Sequence, residues 1–318
     1  MKTVYITTMM ISALLLLILP LSAKDNLQKL PVSALPLIEQ SEQTNKTDTV
    51  RLKLTASDTV TEISIEDYIF GVVAAEMPAL YEEEALKAQA VAAYTFYMVQ
   101  KDKNTDTSFD ISDDYTVHQA FISLESARKK WGDGAETYEN KIRSCVKAVL
   151  GERVLYNGVP ATALYHAISY GVTEKASDVW GGDYPYLVSV DSSWDKLEKN
   201  YLAEATFTAE ELRTLLSSLA EVKDLTGNCI TDIIRTEAGG VKTLKISGAQ
   251  ISGSDLRQAL SLRSSNFEVS FSEGVYKFTT KGYGHSIGMS QYGAHYMAMQ
   301  GKTYKEILLH YYMGCTVE

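Results

Sequence analysis

The chain has 318 residues, 45% hydrophobic, with twenty tyrosines, and that apolar and aromatic mass excludes disorder as its general state. Its 30 basic against 40 acidic residues leave a formal net charge of -10, which excludes the basic stripe a nucleic-acid partner demands. Cys145, Cys229 and Cys315 stand far apart without a C-x-x-C pair, so they are read as packing residues rather than as a zinc site or a dense disulfide frame.

Lys2 precedes an apolar run that is densest from Met9 to Leu21. This predicts a targeting segment over residues 1–23, and a retained single-pass anchor is favoured over a cleaved signal because Leu21-Ser22-Ala23 is a poor cleavage site. With Lys2 kept in the cytoplasm, the rest of the chain lies outside it. Residues 24–48, polar and interrupted by Pro31 and Pro36, read as a linker, which leaves 49–318 as the body.

Within the body, Val50 to Leu54 alternates at period two and a second strand follows Ser57-Asp58-Thr59, so a hairpin is expected. Ser64-Ile-Glu-Asp67 resembles a capping box, and the helix it opens should stop at Glu76-Met77-Pro78. An alanine-rich helix is expected from Glu82 to Val99, then polar turns over 101–121 and helices over 123–131 and 138–150. Asn157-Gly158, Ala238-Gly239-Gly240 and Glu273-Gly274 mark hairpins, and short helices should begin at Thr208, near Ser252 and at Thr303. Helices early and antiparallel strands late make an α+β body with a substrate groove.

Glu76 is the first candidate for chemistry. It sits at the negative end of a helix dipole behind apolar Val72-Val-Ala-Ala75, and both effects raise a carboxyl pKa as a general acid requires. The ordinary alternative is a solvated glutamate at a helix end. Gln89 lies on a small-residue face, where a buried amide must either cap backbone or orient a neighbour. Tyr165 to Glu174 and Asp178 to Asp195 crowd polar groups with Trp180, Tyr184, Tyr186 and Trp194, which are candidate sugar platforms with hydroxyls and carboxylates such as Asp191 beside them. Gly282 to Ala294 is glycine-rich but lacks dinucleotide spacing, so its glycines are read as letting His285 and Gln291 approach a groove. His118, with Asp113 and Asp114, and His166 lack partners at metal spacing, so no metal and no cofactor is expected.

Taken in order, Ile65 to Thr95, Gly151 to Asp195, Leu262 to Phe267 and Lys281 to Gly314 resemble the stage II sporulation protein D family and the related amidase enhancers. The resemblance implies an anchored lytic transglycosylase with Glu76 as catalytic acid. Its substrate would be peptidoglycan strands stripped of stem peptides, and its place the mother-cell engulfing membrane. Partners would be a sporulation amidase and engulfment membrane proteins. Gln89, Tyr94, His166, Ser169, Asp191, His285 and Gln291 are the expected substrate-binding residues. Tyr94 stands where relatives often carry arginine, and His166-Ala-Ile-Ser169-Tyr-Gly departs from their His-Ser-Thr-Ser-Gly-Gly. The zinc of some clostridial members is not carried over. A two-carboxylate hydrolase using Asp178, Asp191 or Asp195 is the alternative enzyme, and a wall-binding amidase enhancer without catalysis the alternative class.

Overall fold

In the computed structural model, which describes residues 49–105, 107–182, 184–219, 225, 227 and 229–318, β1 (Thr49–Leu54) and β2 (Thr59–Ser64) form the expected antiparallel hairpin. The anchor expected over 1–23 and the linker over 24–48 lie outside the described residues. Among those described, no helix is long and apolar enough to cross a membrane. The Ser64 hydroxyl accepts from the Asp67 amide at 3.1 Å and so caps α1 (Ile65–Glu76), a contact worth about 1 kcal/mol. The helix ends where expected, because Met77 precedes Pro78 and is extended at φ -118° and ψ 145°.

The alanine-rich α2 (Glu83–Lys103) runs a turn past the expected Val99. Gln100 to Lys103 carry no apolar periodicity, but Gln100, Lys101 and Lys103 are good helix formers, and the two lysines complement the helix's negative end. Within the stretch read as turns, β3 (Ile111–Ser112) lies parallel to β1, fixed by Arg51, which donates to Asp110 through Nε at 2.9 Å and Nη2 at 2.7 Å. Next come α3 (Leu124–Trp131) and α4 (Ala135–Val149). The latter starts ahead of the expected residue 138 because the 3-10 turn Gly132–Gly134 feeds straight into it.

Asn157 at φ +52° and Gly158 at φ +77° join β4 (Val154–Tyr156) to β5 (Val159–Pro160), as an Asn-Gly hairpin requires. After β6 (Tyr165–His166) and the short α5 (Ala176–Val179) the chain enters a second hydrophobic cluster. That cluster comprises β7 (Leu202–Thr208), α6 (Ala209–Leu216), β8 (Ile230–Arg235), β9 (Val241–Ile246), β10 (Ala249–Ser252), α7 (Gly253–Ala259), β11 (Phe267–Ser272) and β12 (Val275–Lys281). Two antiparallel sheets, ordered β10-β9-β8 and β11-β12-β7, enclose Leu212, Leu244, Leu256, Phe267 and Phe278. Thr208 and Ser252 cap the two helices as expected.

The chain then returns to the first cluster through β13 (Met289–Ser290), α8 (Gln291–Met299), α9 (Tyr304–Tyr311) and β14 (Thr316–Val317), the last of which pairs with β4. Buried Ala85, Ala88, Ala90, Ala92 and Ala93 let α1, α4, α8 and α9 all pack on α2. The fold is therefore α+β. One pairing invisible in the sequence positions the site: β13 lies parallel to β6, with Met289 opposite Tyr165 and Ser290 opposite His166.

Candidate active site

A cleft of about 480 Å³ is lined by Glu76, Pro78, Tyr81, Ala167, Ile168, Tyr283 and Gln291, with Glu198, Lys199, Asn200 and Arg263 completing it. Glu76 reaches the cleft because α1 ends there. Gln291 reaches it because Ser290 caps α8 immediately after the β6–β13 pair. Gln291 Nε2 donates to Glu76 Oε2 at 3.2 Å, and the Ala120 amide donates to Oε1 at 3.2 Å. Burial nevertheless holds the Glu76 pKa above the usual carboxylate range, against the opposing pull of those two donors and of the Lys130 ammonium. A carboxyl so placed can carry a proton to a leaving group and take another back.

Behind Glu76 lies a buried polar network. Gln89, fully buried, accepts from Gln291 Nε2 at 3.4 Å. Gln119, absent from the sequence-based set, donates from Nε2 to Tyr68 Oη at 2.8 Å and to the Ala93 carbonyl at 3.2 Å, and accepts from Tyr165 Oη at 2.7 Å. It therefore pins the loop whose next residue, Ala120, holds Glu76. Gln119→Leu should lower kcat and leave KM little changed. It removes the restraint on a donor that pulls the Glu76 pKa down, so the falling limb of the pH profile should move to higher pH. A profile that keeps its position would refute the positioning role.

A family model described as "Stage II sporulation protein" matches residues 54–156, the stretch that holds α1, the Glu-Met-Pro turn and α2. The chain is 39% identical to stage II sporulation protein D of Bacillus amyloliquefaciens over 83% of its own length and 76% of the relative's. With stage II sporulation protein D of Bacillus subtilis (strain 168) it shares 37% identity over 100% of its length and 96% of the relative's. The chain belongs to the stage II sporulation protein D family. It is also 28% identical to a Bacillus subtilis (strain 168) protein named amidase enhancer, over 78% of the chain and 40% of that protein.

Of the residues expected to meet substrate in this family member, Glu76 and Gln291 line the cleft, and Gln89 touches it through Gln291. Tyr94, His166, Ser169, Asp191 and His285 are not among the lining residues. Tyr94 packs against the core beside Tyr97, with ring centroids 6.4 Å apart. The His166 ring is buried with Nδ1 3.1 Å from the Ile287 carbonyl, and lies 5.7 Å from the His285 ring. Burial drives the pKa of His166 down to about 3 and that of His285 to about 4, so both are neutral at ordinary pH and fasten chain segments rather than supply charge. Ser169 is buried, its amide donating to Asp195 Oδ2 at 2.6 Å and its hydroxyl accepting from the Gly171 amide at 3.0 Å. Asp191 is exposed, and its carbonyl lies 2.8 Å from His310 Nε2.

The aromatic platforms also fall elsewhere. Trp194 stacks on Tyr296 at 5.8 Å and 6°, and Tyr186 is buried against Tyr156, while Trp180 and Tyr184 are surface residues outside the cleft's lining. The rings facing the cleft are Tyr81, stacked on His295 at 4.2 Å and 2°, and Tyr283. The cleft's second carboxylate is Glu198, whereas Asp178, Asp191 and Asp195 do not line it. His118 lies 2.7 Å from the Ser112 hydroxyl through Nδ1, and the described residues contain no cluster of three metal-ligating side chains.

Proposed function

We propose that this family member is a peptidoglycan lytic transglycosylase. The observation that carries the reading is Glu76, a carboxyl with a burial-raised pKa, steered by two amide donors, on the wall of a cleft with tyrosine rings. Glu76 protonates the glycosidic oxygen between N-acetylmuramic acid and N-acetylglucosamine. The carboxylate so formed takes the proton of the muramyl C6 hydroxyl as that oxygen attacks C1 of its own ring. The bond to the leaving sugar breaks and a 1,6-anhydromuramyl end forms. One carboxyl serves both transfers because the nucleophile belongs to the substrate, and proximity supplies much of the rate. No cofactor enters.

The same reading places the body outside the cytoplasm, tethered by residues 1–23 in the mother-cell engulfing membrane. A sporulation amidase that strips stem peptides and engulfment membrane proteins are its proposed partners. Glu198 on the cleft wall supports a second reading, a hydrolase in which it is the base or nucleophile. Mass spectrometry of strands digested by the protein separates the two. We expect ends lacking one water; ordinary reducing ends would select the hydrolase, and uncut strands would favour a wall-binding role.

A further inference from the structure

Arg263 stands in the cleft with its backbone held and, among the described residues, no ion-pair partner for its guanidinium. Its carbonyl oxygen accepts from the Gly284 amide at 2.9 Å and from Arg257 Nε at 3.3 Å, and Ser264 is bridged to Gly284, so its backbone is fixed on both sides. Its guanidinium carbon lies 4.5 Å from the centre of the Tyr283 ring. Tyr283 in turn exchanges backbone hydrogen bonds of 2.7 and 3.0 Å with Ile168, another lining residue. Arg263 Nε is buried without a hydrogen-bond partner among the described residues. The acids of the cleft are engaged elsewhere: Glu198 accepts from Asn200 Nδ2 at 3.1 Å, and Glu76 from Gln291 and Ala120.

A guanidinium stacked on a ring keeps its edge N–H groups for an acceptor in its own plane, and a carboxylate matches that fork with two parallel hydrogen bonds. Leaving the group unpaired in a partly dehydrated cleft costs free energy that such a ligand would recover. Lys199 adds positive charge on the cleft's exposed wall. We infer that Arg263, stacked on Tyr283, is the subsite for an anionic substituent of the glycan, the lactyl carboxylate of a muramic acid. Where a stem peptide is attached, that carboxyl is an amide; where the peptide has been removed, it is an anion. Arg263 thereby makes the enzyme select stripped strands. The inference rests on the glycan-cleaving reading above.

The test uses the full chain and two preparations of peptide-free strands of equal length, one with free lactyl carboxylates and one with these capped as methylamides. Binding is measured in the Glu76→Gln background and cleavage in the wild type. The wild type should favour the free carboxylate about tenfold or more in kcat/KM, since a hydrogen-bonded charge contributes at least that much. Arg263→Gln should bring the ratio close to one, and Arg263→Lys, which keeps the charge but not the fork, should fall between. Rising salt should erode the preference. Thermal melts check that the glutamine variant is folded; if it is not, the lysine variant decides, and its ratio must fall below the wild type's.

An Arg263 variant that keeps the full preference, or a wild type with none, overturns the subsite. If strands are cut without regard to the carboxylate, the subsite fails and the transglycosylase reading survives. If nothing is cut yet binding depends on both the carboxylate and Arg263, the subsite stands and the reading fails. A chain that neither cuts nor binds loses both.

Discussion

Glu76→Gln should reduce the formation of anhydromuramyl ends by about 10²–10⁴-fold, the range for loss of a general acid and base. The amide keeps the shape of the carboxyl, and its one carbonyl oxygen can still accept from one of the two donors, Gln291 or Ala120, so strand binding should change by only a few-fold. What it cannot do is deliver a proton. In the wild type, activity should fall as pH rises through the raised pKa of Glu76, because the acid must arrive protonated. The same shift has a consequence for stability. A carboxyl whose folded pKa exceeds its unfolded one contributes stability that is fully present below the unfolded value and lost as pH rises through the folded value. Glu76→Gln should therefore melt no lower than the wild type at neutral pH, with any gap between them closing in acid. A variant that still cuts strands at a tenth of the wild-type rate would remove Glu76 from the chemistry.

What the sequence made legible was local. Ser64, Thr208, Ser252 and Thr303 all cap the helices they were expected to open, because a cap needs only a side chain and the next turn of backbone. Asn157-Gly158 and the Glu-Met-Pro stop behave likewise, since each rests on the φ preferences of one or two residues. Glu76 could be singled out for a similar reason: dipole and apolar approach are both written into its own helix. Arg263 and Tyr283 could not, because they reach the cleft only through long-range pairings, Ile168 with Tyr283 and Ser264 with Gly284. His166 and Ser169 looked functional because polar residues crowd around them. In the fold His166 Nδ1 and Ser169 bond backbone groups and Asp195, while His166 Nε2 is buried without a partner among the described residues; the sequence does not separate such fastening from binding sugars. Gln119 was hidden by a polar, turn-like context that gives no hint of its burial.

The pairing that delivers Gln291 also sets the point where the fold is most sensitive. Gly288 has φ +71°, and a Cβ there would fall on the Leu164 carbonyl oxygen. That oxygen accepts from the Met289 amide at 3.0 Å and from Tyr312 Oη at 2.8 Å, so it cannot move without releasing the start of β13 and a buried tyrosine. Gly288→Ala should therefore combine a left-handed backbone penalty with a backbone clash, about 2–4 kcal/mol together. For a body of this size that is a fall in Tm on the order of 5–10 °C. Gly301→Ala is the control, since Gly301 has a comparable φ of +81° with nothing within 4 Å of a Cβ. It should show only the smaller conformational cost and keep its activity. The folded fraction of Gly288→Ala should in addition lose kcat, because displaced β13 carries Gln291 away from Glu76. Equal melting temperatures and equal rates for the two alanine variants would mean that the β6–β13 contact neither anchors the fold nor aims the acid.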